Sequence, residues 1–226
     1  MRAVLTREEG RNVATRSWLP GGWSVEEVPA TATRYEDPAL VEAAAAPGGP
    51  YRWVVVTSAR AARYAAVAPG ARVAAVGPAS ASALEALGVA CAVVGDVGAL
   101  ALAGAIDEGP VLVLAARAGR RELVEALSER GLACGVVECY ETVPVALGPG
   151  ERALLEAADV VVVGAPSAWA VVAGSVHPDA WVVVPGETTR AAVGQGHSRV
   201  VVAWGPGATG ALARLAPRRD PGGGAQ

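Results

Sequence analysis

Short runs rich in valine recur along the chain, at residues 3–6, 53–57, 72–76, 90–94, 111–114, 159–163, 181–184 and 199–203. They are apolar throughout rather than alternating, the pattern of strands buried on both faces. Between them lie alanine-rich stretches with helical spacing, each closed by glycine. Asp37 is placed to cap a helix over 37–46, with Pro38 at its first position. A second helix is predicted over 79–87, ended by Gly88, and a third over 120–130, ended by Gly131. This alternation predicts an α/β fold of parallel sheets covered on both faces. Past Pro217 no apolar period survives, and Pro221 precedes three glycines. Residues 218–226 therefore read as a disordered tail.

The second half of the chain replays the first. One constant offset relates Gly77 to Gly186, Ser80 to Thr189 and Gly22 to Gly131, and an offset one larger relates Leu102 to Leu212. The opening V-L-T-R with Gly10-Arg11 likewise matches V-L-V-L-A-A-R with Gly119-Arg120-Arg121. Glycine positions carry most weight in such a comparison, since valine and alanine dominate everywhere. An internal duplication is the reading they support.

Composition removes several classes of function. The 226 residues are 52% hydrophobic, enough to build two cores. A formal charge of -3, with arginine as the basic residue and no lysine, gives no footprint for nucleic acid and excludes a lysine-bearing phosphate loop. Met1 to Gly10 carries Arg2, Arg7, Glu8 and Glu9, which is unlike a secretory signal, so a cytoplasmic protein is expected. The apolar stretch 160–176 is broken by Gly164, Pro166 and Ser167 and suits a strand and a helix rather than a membrane span. Cys91, Cys134 and Cys139 lack metal-ligand spacing and read as reduced thiols packed as small apolar groups. His177 and His197 read as surface turns, and with only two histidines no metal site is expected. Gly205 to Gly210 spells G-P-G-A-T-G, yet no further strand or acidic residue follows it at the spacing a dinucleotide fold needs, so it reads as a tight strand-to-helix turn.

One chemical pattern recurs: a small hydroxyl residue just past a strand end. Thr6, Thr57, Ser58, Ser80, Ser167, Thr188 and Thr189 all stand there. Each suits helix capping; as a set they ring the carboxyl ends of the strands, where open α/β sheets bind ligands and helix starts favour anions.

The segments V-V-V-T-S-A at Val54 to Ala59, A-V-G-P-A-S-A at Ala75 to Ala81, E-C-Y-E-T at Glu138 to Thr142 and P-G-E-T-T at Pro185 to Thr189 resemble the successive motifs of uroporphyrinogen-III synthases, in order and spacing. The resemblance implies two flavodoxin-like or Rossmann-like lobes with parallel sheets, joined by a two-stranded antiparallel linker. The first lobe is discontinuous, residues 1–33 and 144–217; the second is 35–139. The linker is expected to pair 25–33 with 136–143.

It also implies a reaction without metal or organic cofactor, in a protein expected to be monomeric. Hydroxymethylbilane, a linear tetrapyrrole, loses water, its last pyrrole ring is inverted, and the macrocycle closes as uroporphyrinogen III. By the same resemblance Tyr140 is the catalytic candidate, a donor to the departing hydroxyl, with a packing role at the lobe junction as its alternative. Substrate contacts fall to Thr6, Arg7, Thr57, Ser58, Gly77, Ser80, Ser167, Gly186, Thr188 and Thr189. The chain departs from the family pattern in three places. Gly164-Ala165 stands where hydroxyl residues are usual, Ser80 where threonine is usual, and Gly196 closes its helix one position early. They leave as alternatives a weakened or retuned enzyme, or a non-catalytic two-lobed tetrapyrrole or small-molecule binding or regulatory protein of the same fold.

Overall fold

The computed structural model describes residues 1–95, 99–117, 119 and 121–217. The chain opens with β1 (Arg2–Leu5), α1 (Val13–Ser17), β2 (Ser24–Glu27) and β3 (Thr31–Tyr35). Next come α2 (Pro38–Ala45), β4 (Trp53–Val56), β5 (Arg72–Ala75), α3 (Pro78–Glu85), β6 (Val93–Val94) and α4 (Ala99–Ala105). The middle holds β7 (Val111–Ala116), α5 (Glu122–Glu129), β8 (Cys134–Pro144) and α6 (Pro149–Glu156). Last are β9 (Val160–Val162), α7 (Pro166–Val172), β10 (Trp181–Val184), α8 (Glu187–Gly194), β11 (Val200–Val202) and α9 (Thr209–Leu212).

Two compact units result, one built from Met1–Ala32 and Val143–Gln226, the other from Thr33–Thr142. In the first, a five-stranded sheet has the order β11-β10-β9-β1-β2. All its ladders are parallel, β1 pairing β9 in the register Ala3 to Val160. In the second, a six-stranded sheet has the order β3-β8-β7-β4-β5-β6. Its β4, β5, β6, β7 and β8 run parallel, and β3 is added antiparallel along β8. Glu36 N–H donates to the Cys139 carbonyl and Val145 N–H to the Ala30 carbonyl, both at 3.0 Å, so numbers rise along one strand as they fall along the other. The fold is the α/β class expected, and the segments 3–6 and 53–57 lie in different sheets.

The unbroken apolar runs have a direct cause. In the first sheet, Val4, Val161, Val182 and Val184 feed one core layer, while Ala3, Leu5, Val160, Val162 and Val183 feed the opposite one. In the second, Val54, Val56, Leu112 and Leu114 face one layer and Trp53, Val55, Val111 and Val113 the other. Because side chains alternate across a strand, burial on both faces requires every position to be apolar.

Helix ends follow the local signals. The Asp37 side chain accepts from Ala39 N–H at 2.8 Å, ahead of Pro38 at the first helical position. Gly88 and Gly131 take φ of +73 and +77. Val89 N–H then donates to Leu84 O, and Leu132 N–H to Leu127 O, the Schellman arrangement that a left-handed residue permits.

Three expectations are corrected. The 25–33 stretch is not one linker strand: Ser24–Glu27 is a full member of the first sheet, parallel to β1, and only Thr31–Tyr35 accompanies β8. Pro29 divides them, while Val28 and Ala30 go on donating to Leu5 O and Thr6 O. The strand expected over 90–94 is reduced to Val93–Val94, at an edge with a single partner. His197 is no surface turn: it is buried, 2.8 Å from the Ala180 carbonyl through Nε2 and edge-on to Trp169. The expected disordered tail, 218–226, lies outside the described residues.

Candidate functional site

In a parallel sheet the carboxyl ends of all strands face one way, and the residues just beyond them share one rim. On the rim of the first unit stand Thr6 and Arg7 after β1, Gly164 and Ser167 around the β9 exit, Gly186, Thr188 and Thr189 after β10, and Trp204 after β11. On that of the second stand Thr57 and Ser58 after β4, Gly77 and Ser80 after β5, Arg117 after β7, and Tyr140 within β8. The predicted residues thus form two sets, one per unit.

Their hydroxyls have different fates. Thr6 is fully buried; its N–H and Oγ1 both donate to the Val162 carbonyl, at 3.1 and 2.9 Å. Thr57 does the same to Leu114 O, at 3.3 and 2.8 Å. Both protons are spent on the neighbouring strand, which leaves these hydroxyls able to accept but not to donate. Ser58 Oγ accepts from Arg60 N–H at 3.2 Å, a local turn cap.

Ser80, Ser167, Thr188 and Thr189 are not caps. The residues that begin their helices are Gly77, Ala165 and Gly186, none of which offers a side-chain oxygen. Gly77 and Gly186 have nearly the same extended backbone, φ, ψ of -175, 175 and -179, -179. A Cβ at Gly186 would meet nothing within 4 Å, so the approach to this helix start is open. The first bond into Gly186 O comes from Arg190, which leaves the amides of Glu187, Thr188 and Thr189 as unsatisfied first-turn donors. Ser80 and Thr189, which the repeat matches to each other, occupy the same third position and are both 4% exposed. Among the described residues neither hydroxyl has a hydrogen-bond partner, and the only fully enclosed side-chain polar atom lacking one is Asn12 Oδ1. The two hydroxyls therefore still reach solvent and can donate to a ligand.

Tyr140 is positioned by a bulge. Along β7 and β8, Ala115 faces Glu138 but Ala116 faces Tyr140, so Cys139 is an extra residue in the ladder. Cys139 and Tyr140 consequently enter the same core layer, 0% and 7% exposed. Arg117 N–H donates to the Tyr140 carbonyl at 2.7 Å. The ring lies 6.4 Å from that of Tyr35, tilted by 45°. Its hydroxyl makes no hydrogen bond among the described residues and is not enclosed, so it opens to solvent.

Sequence reasoning missed the arginines around this tyrosine. Arg60 Nε donates to Thr33 Oγ1 at 2.7 Å, and its guanidinium lies 6.0 Å over the Tyr140 ring. Arg63 lies 4.5 Å over Tyr35. Arg117 sits among the carboxylates of Glu36, Glu138 and Glu141 at 3.6 to 3.8 Å, and Arg34 also pairs with Glu141. The position of Arg60, shortly after Thr57 and Ser58, was the one available signal.

In the first unit Arg7 follows Thr6 directly, Asn12 Nδ2 donates to its carbonyl at 3.3 Å, and its Nη1 donates to Thr15 Oγ1 at 3.4 Å. Asn12 Nδ2 also reaches Glu27 Oε2 at 3.0 Å. The Glu27 carboxyl is held below its ordinary value by the Arg16 hydrogen bond first and by Asn12 second. Burial pushes the Cys139 thiol up to about 12, and raises Cys134 and Cys91 as well. All three cysteines are free thiols. Among the described residues no group of His, Cys, Asp and Glu is arranged to hold a metal ion, and no helix is long and apolar enough to cross a membrane. The Gly205 to Gly210 segment is a tight turn, with φ +74 at Gly205 leading into α9.

No curated protein sequence matches the chain. Among solved structures, the uroporphyrinogen-III synthetase of Helicobacter pylori is similar in fold, with a TM-score of 0.64, 17% identity, and 94% of this chain and 98% of that one covered. A mutant uroporphyrinogen III synthase of Thermus thermophilus gives a TM-score of 0.55 at 18% identity, covering 95% and 98%. The family model described as uroporphyrinogen-III synthase HemD matches residues 21–213. With the match spanning most of its length, the chain belongs to the uroporphyrinogen-III synthase (HemD) family.

Proposed function

We propose that this protein converts hydroxymethylbilane to uroporphyrinogen III, removing water, inverting the last pyrrole ring and closing the macrocycle. The observation that carries the reading is the pair of helix starts in which Gly77 with Ser80 and Gly186 with Thr189 each set an open hydroxyl in a first turn that no side chain caps. At Gly186 the first-turn amides are open as well, whereas at Gly77 Pro78 has no N–H and Ser80 N–H donates to Gly77 O. Such starts suit dispersed carboxylates, which need short-range donors in several places. A protein of formal charge -3 gains nothing from bulk attraction to an octacarboxylate, so local donors must carry recognition. Thr188 and Ser167 are exposed at neighbouring helix starts and extend the set.

The bilane contains both its leaving group and the carbon that attacks. The protein's task is to fix the conformation in which the correct ring carbon meets the terminal methylene. As the C–O bond breaks, a proton or hydrogen bond delivered to the departing hydroxyl lets it leave as water. Tyr140 is assigned that role, its ring held by the bulge and its hydroxyl open. Nothing in this chemistry calls for a metal or an organic cofactor.

Gly164 and Ala165, bare where the family pattern has hydroxyls, favour a second reading, a tetrapyrrole-binding protein without turnover. Supplying hydroxymethylbilane from a coupled reaction and separating the isomers decides between them. A III-to-I ratio above the spontaneous background supports the enzyme. Folded protein that binds product yet yields only isomer I overturns it and leaves the binding reading.

A further inference from the structure

On the rim of the second unit, two arginines and two tyrosines stand in a row. The Arg63 guanidinium lies 4.5 Å over the Tyr35 ring, Tyr35 and Tyr140 have centroids 6.4 Å apart, and Arg60 lies 6.0 Å over Tyr140. Arg63 is held from a second side as well, 5.8 Å over the Tyr64 ring. That ring is fixed: Tyr64 is buried, and its hydroxyl donates to the Glu36 carbonyl at 2.6 Å, which ties the turn Ala62–Val67 to the chain just past β3. Aromatic faces attract the guanidinium's charge and leave its N–H donors without an oxygen acceptor. Arg63 is exposed, and among the described residues it has no hydrogen bond and no ion pair. Arg34, Arg52, Arg72 and Arg117 of the same unit each reach a carboxylate.

We propose that Arg63, held by Tyr35 and Tyr64, is the subsite for the carboxylate side chain nearest the departing hydroxyl of the bilane, a proposal that rests on the function above and on Tyr140 as the donor. The span from Arg63 to Tyr35 and the span from Tyr35 to Tyr140, laid end to end, set the upper limit of its distance from the Tyr140 ring. Every pyrrole of an octacarboxylate tetrapyrrole carries its acidic side chains on the carbons next to those that bear its bridges. The pyrrole that loses its hydroxyl at Tyr140 therefore brings a carboxylate within a few bonds of that tyrosine, where Arg63 can meet it. A guanidinium presents its N–H donors in a planar fork, and that fork matches a carboxylate. Gripping this side chain fixes the leaving group against the Tyr140 hydroxyl. Tyr35 is a positioning residue, the face on which the guanidinium is set.

The test uses the full chain, coupled turnover of hydroxymethylbilane, and uroporphyrin III binding followed by fluorescence. Arg63→Gln should weaken uroporphyrin III binding and raise KM by about tenfold, the loss of one charge-assisted contact, with a smaller change in kcat. Arg63→Lys keeps the charge and loses the fork, so it should recover only part of the binding. Tyr35→Leu removes the aromatic face with Arg63 still in place and should weaken binding in the same direction; Tyr35→Phe, which keeps the face, should bind more tightly than Tyr35→Leu. Arg52→Gln makes the same charge change at the opposite, amino end of β4 and should leave affinity as it is. An Arg63→Gln variant that stays folded with KM and uroporphyrin III affinity unchanged, or an Arg52→Gln variant that weakens binding equally, overturns the subsite. Wild-type protein that neither binds uroporphyrin III nor forms isomer III overturns the functional reading itself, a different result from a wild type that binds and an Arg63→Gln variant that binds as well.

Discussion

At the scale of single residues, the same side-chain type does different work according to where its proton goes. Thr6 and Thr57 spend theirs on a strand carbonyl, while Ser80 and Thr189 keep theirs. Tyr140 also keeps its proton free. Tyr140→Phe should therefore change stability by less than about 0.5 kcal/mol. The same change should slow turnover about 100-fold with product affinity retained, the loss of an acid or hydrogen-bond donor. Equal losses in kcat and product binding, read by coupled assay and fluorescence titration, would assign it to packing.

Cys139 behaves oppositely. With its thiol pushed up to about 12 it stays protonated at pH 8, so in native protein it should resist a disulfide reagent that labels all three cysteines after unfolding. Glu27 carries the pH dependence of this scale. Its folded value is lower than its unfolded value of 4.5, so its stabilisation is fully present above that value and lost as pH falls through the folded one. Glu27→Gln should cost less than about 1 kcal/mol at pH 7, for a side chain still 33% accessible. In urea titrations the gap should narrow as pH falls below 4.5 and through the lower folded value. Asn12, which helps hold Glu27, keeps Oδ1 enclosed without a partner, a penalty of about 1–3 kcal/mol.

At the scale of elements, glycines that look alike in sequence divide into two kinds. Gly131 ends α5 with φ +77, and alanine there would strain the left-handed backbone by about 1–2 kcal/mol. Gly186 opens α8 with extended backbone and nothing within 4 Å of a built Cβ. Gly186→Ala should cost less than about 0.5 kcal/mol in urea unfolding yet weaken uroporphyrin III binding, because its methyl intrudes on the uncapped amides. Gly131→Ala should do the reverse, with stability lost and affinity kept. Capping is the competing role for the hydroxyl residues, and the helix starts dispose of it for Ser80, Ser167, Thr188 and Thr189. Bare backbone begins those helices, and the hydroxyls sit inside the first turn.

At the scale of the whole molecule, net charge and local charge make opposite predictions about salt. If an octacarboxylate met only the average field of a chain with charge -3, added salt would screen repulsion and improve binding. If arginines and helix amides meet the carboxylates one by one, salt weakens it. We expect uroporphyrin III affinity to fall as sodium chloride rises from about 50 to about 500 mM, where the Debye length shrinks from more than about 10 Å to less than about 5 Å. An affinity that rises with salt would remove the local-donor account. The strands, the glycine stops and the Asp37-Pro38 helix start were legible in the chain because they depend on neighbours a few residues away, through side-chain alternation and backbone sterics. The expectation of a repeat rests on glycine spacing, and of the paired glycines Gly22 and Gly131 both take positive φ while Gly77 and Gly186 are both extended. The tertiary structure alone decided that His197 is buried, that the 25–33 stretch is split between two sheets, and that Cys139 is a bulge turning Tyr140 into the core layer. It alone brought Arg63, Tyr35 and Tyr140 together. Those outcomes turn on which strand lies beside which. In the first unit β1, at the very start of the chain, pairs with β9 from its second half, a separation over which no local pattern carries information.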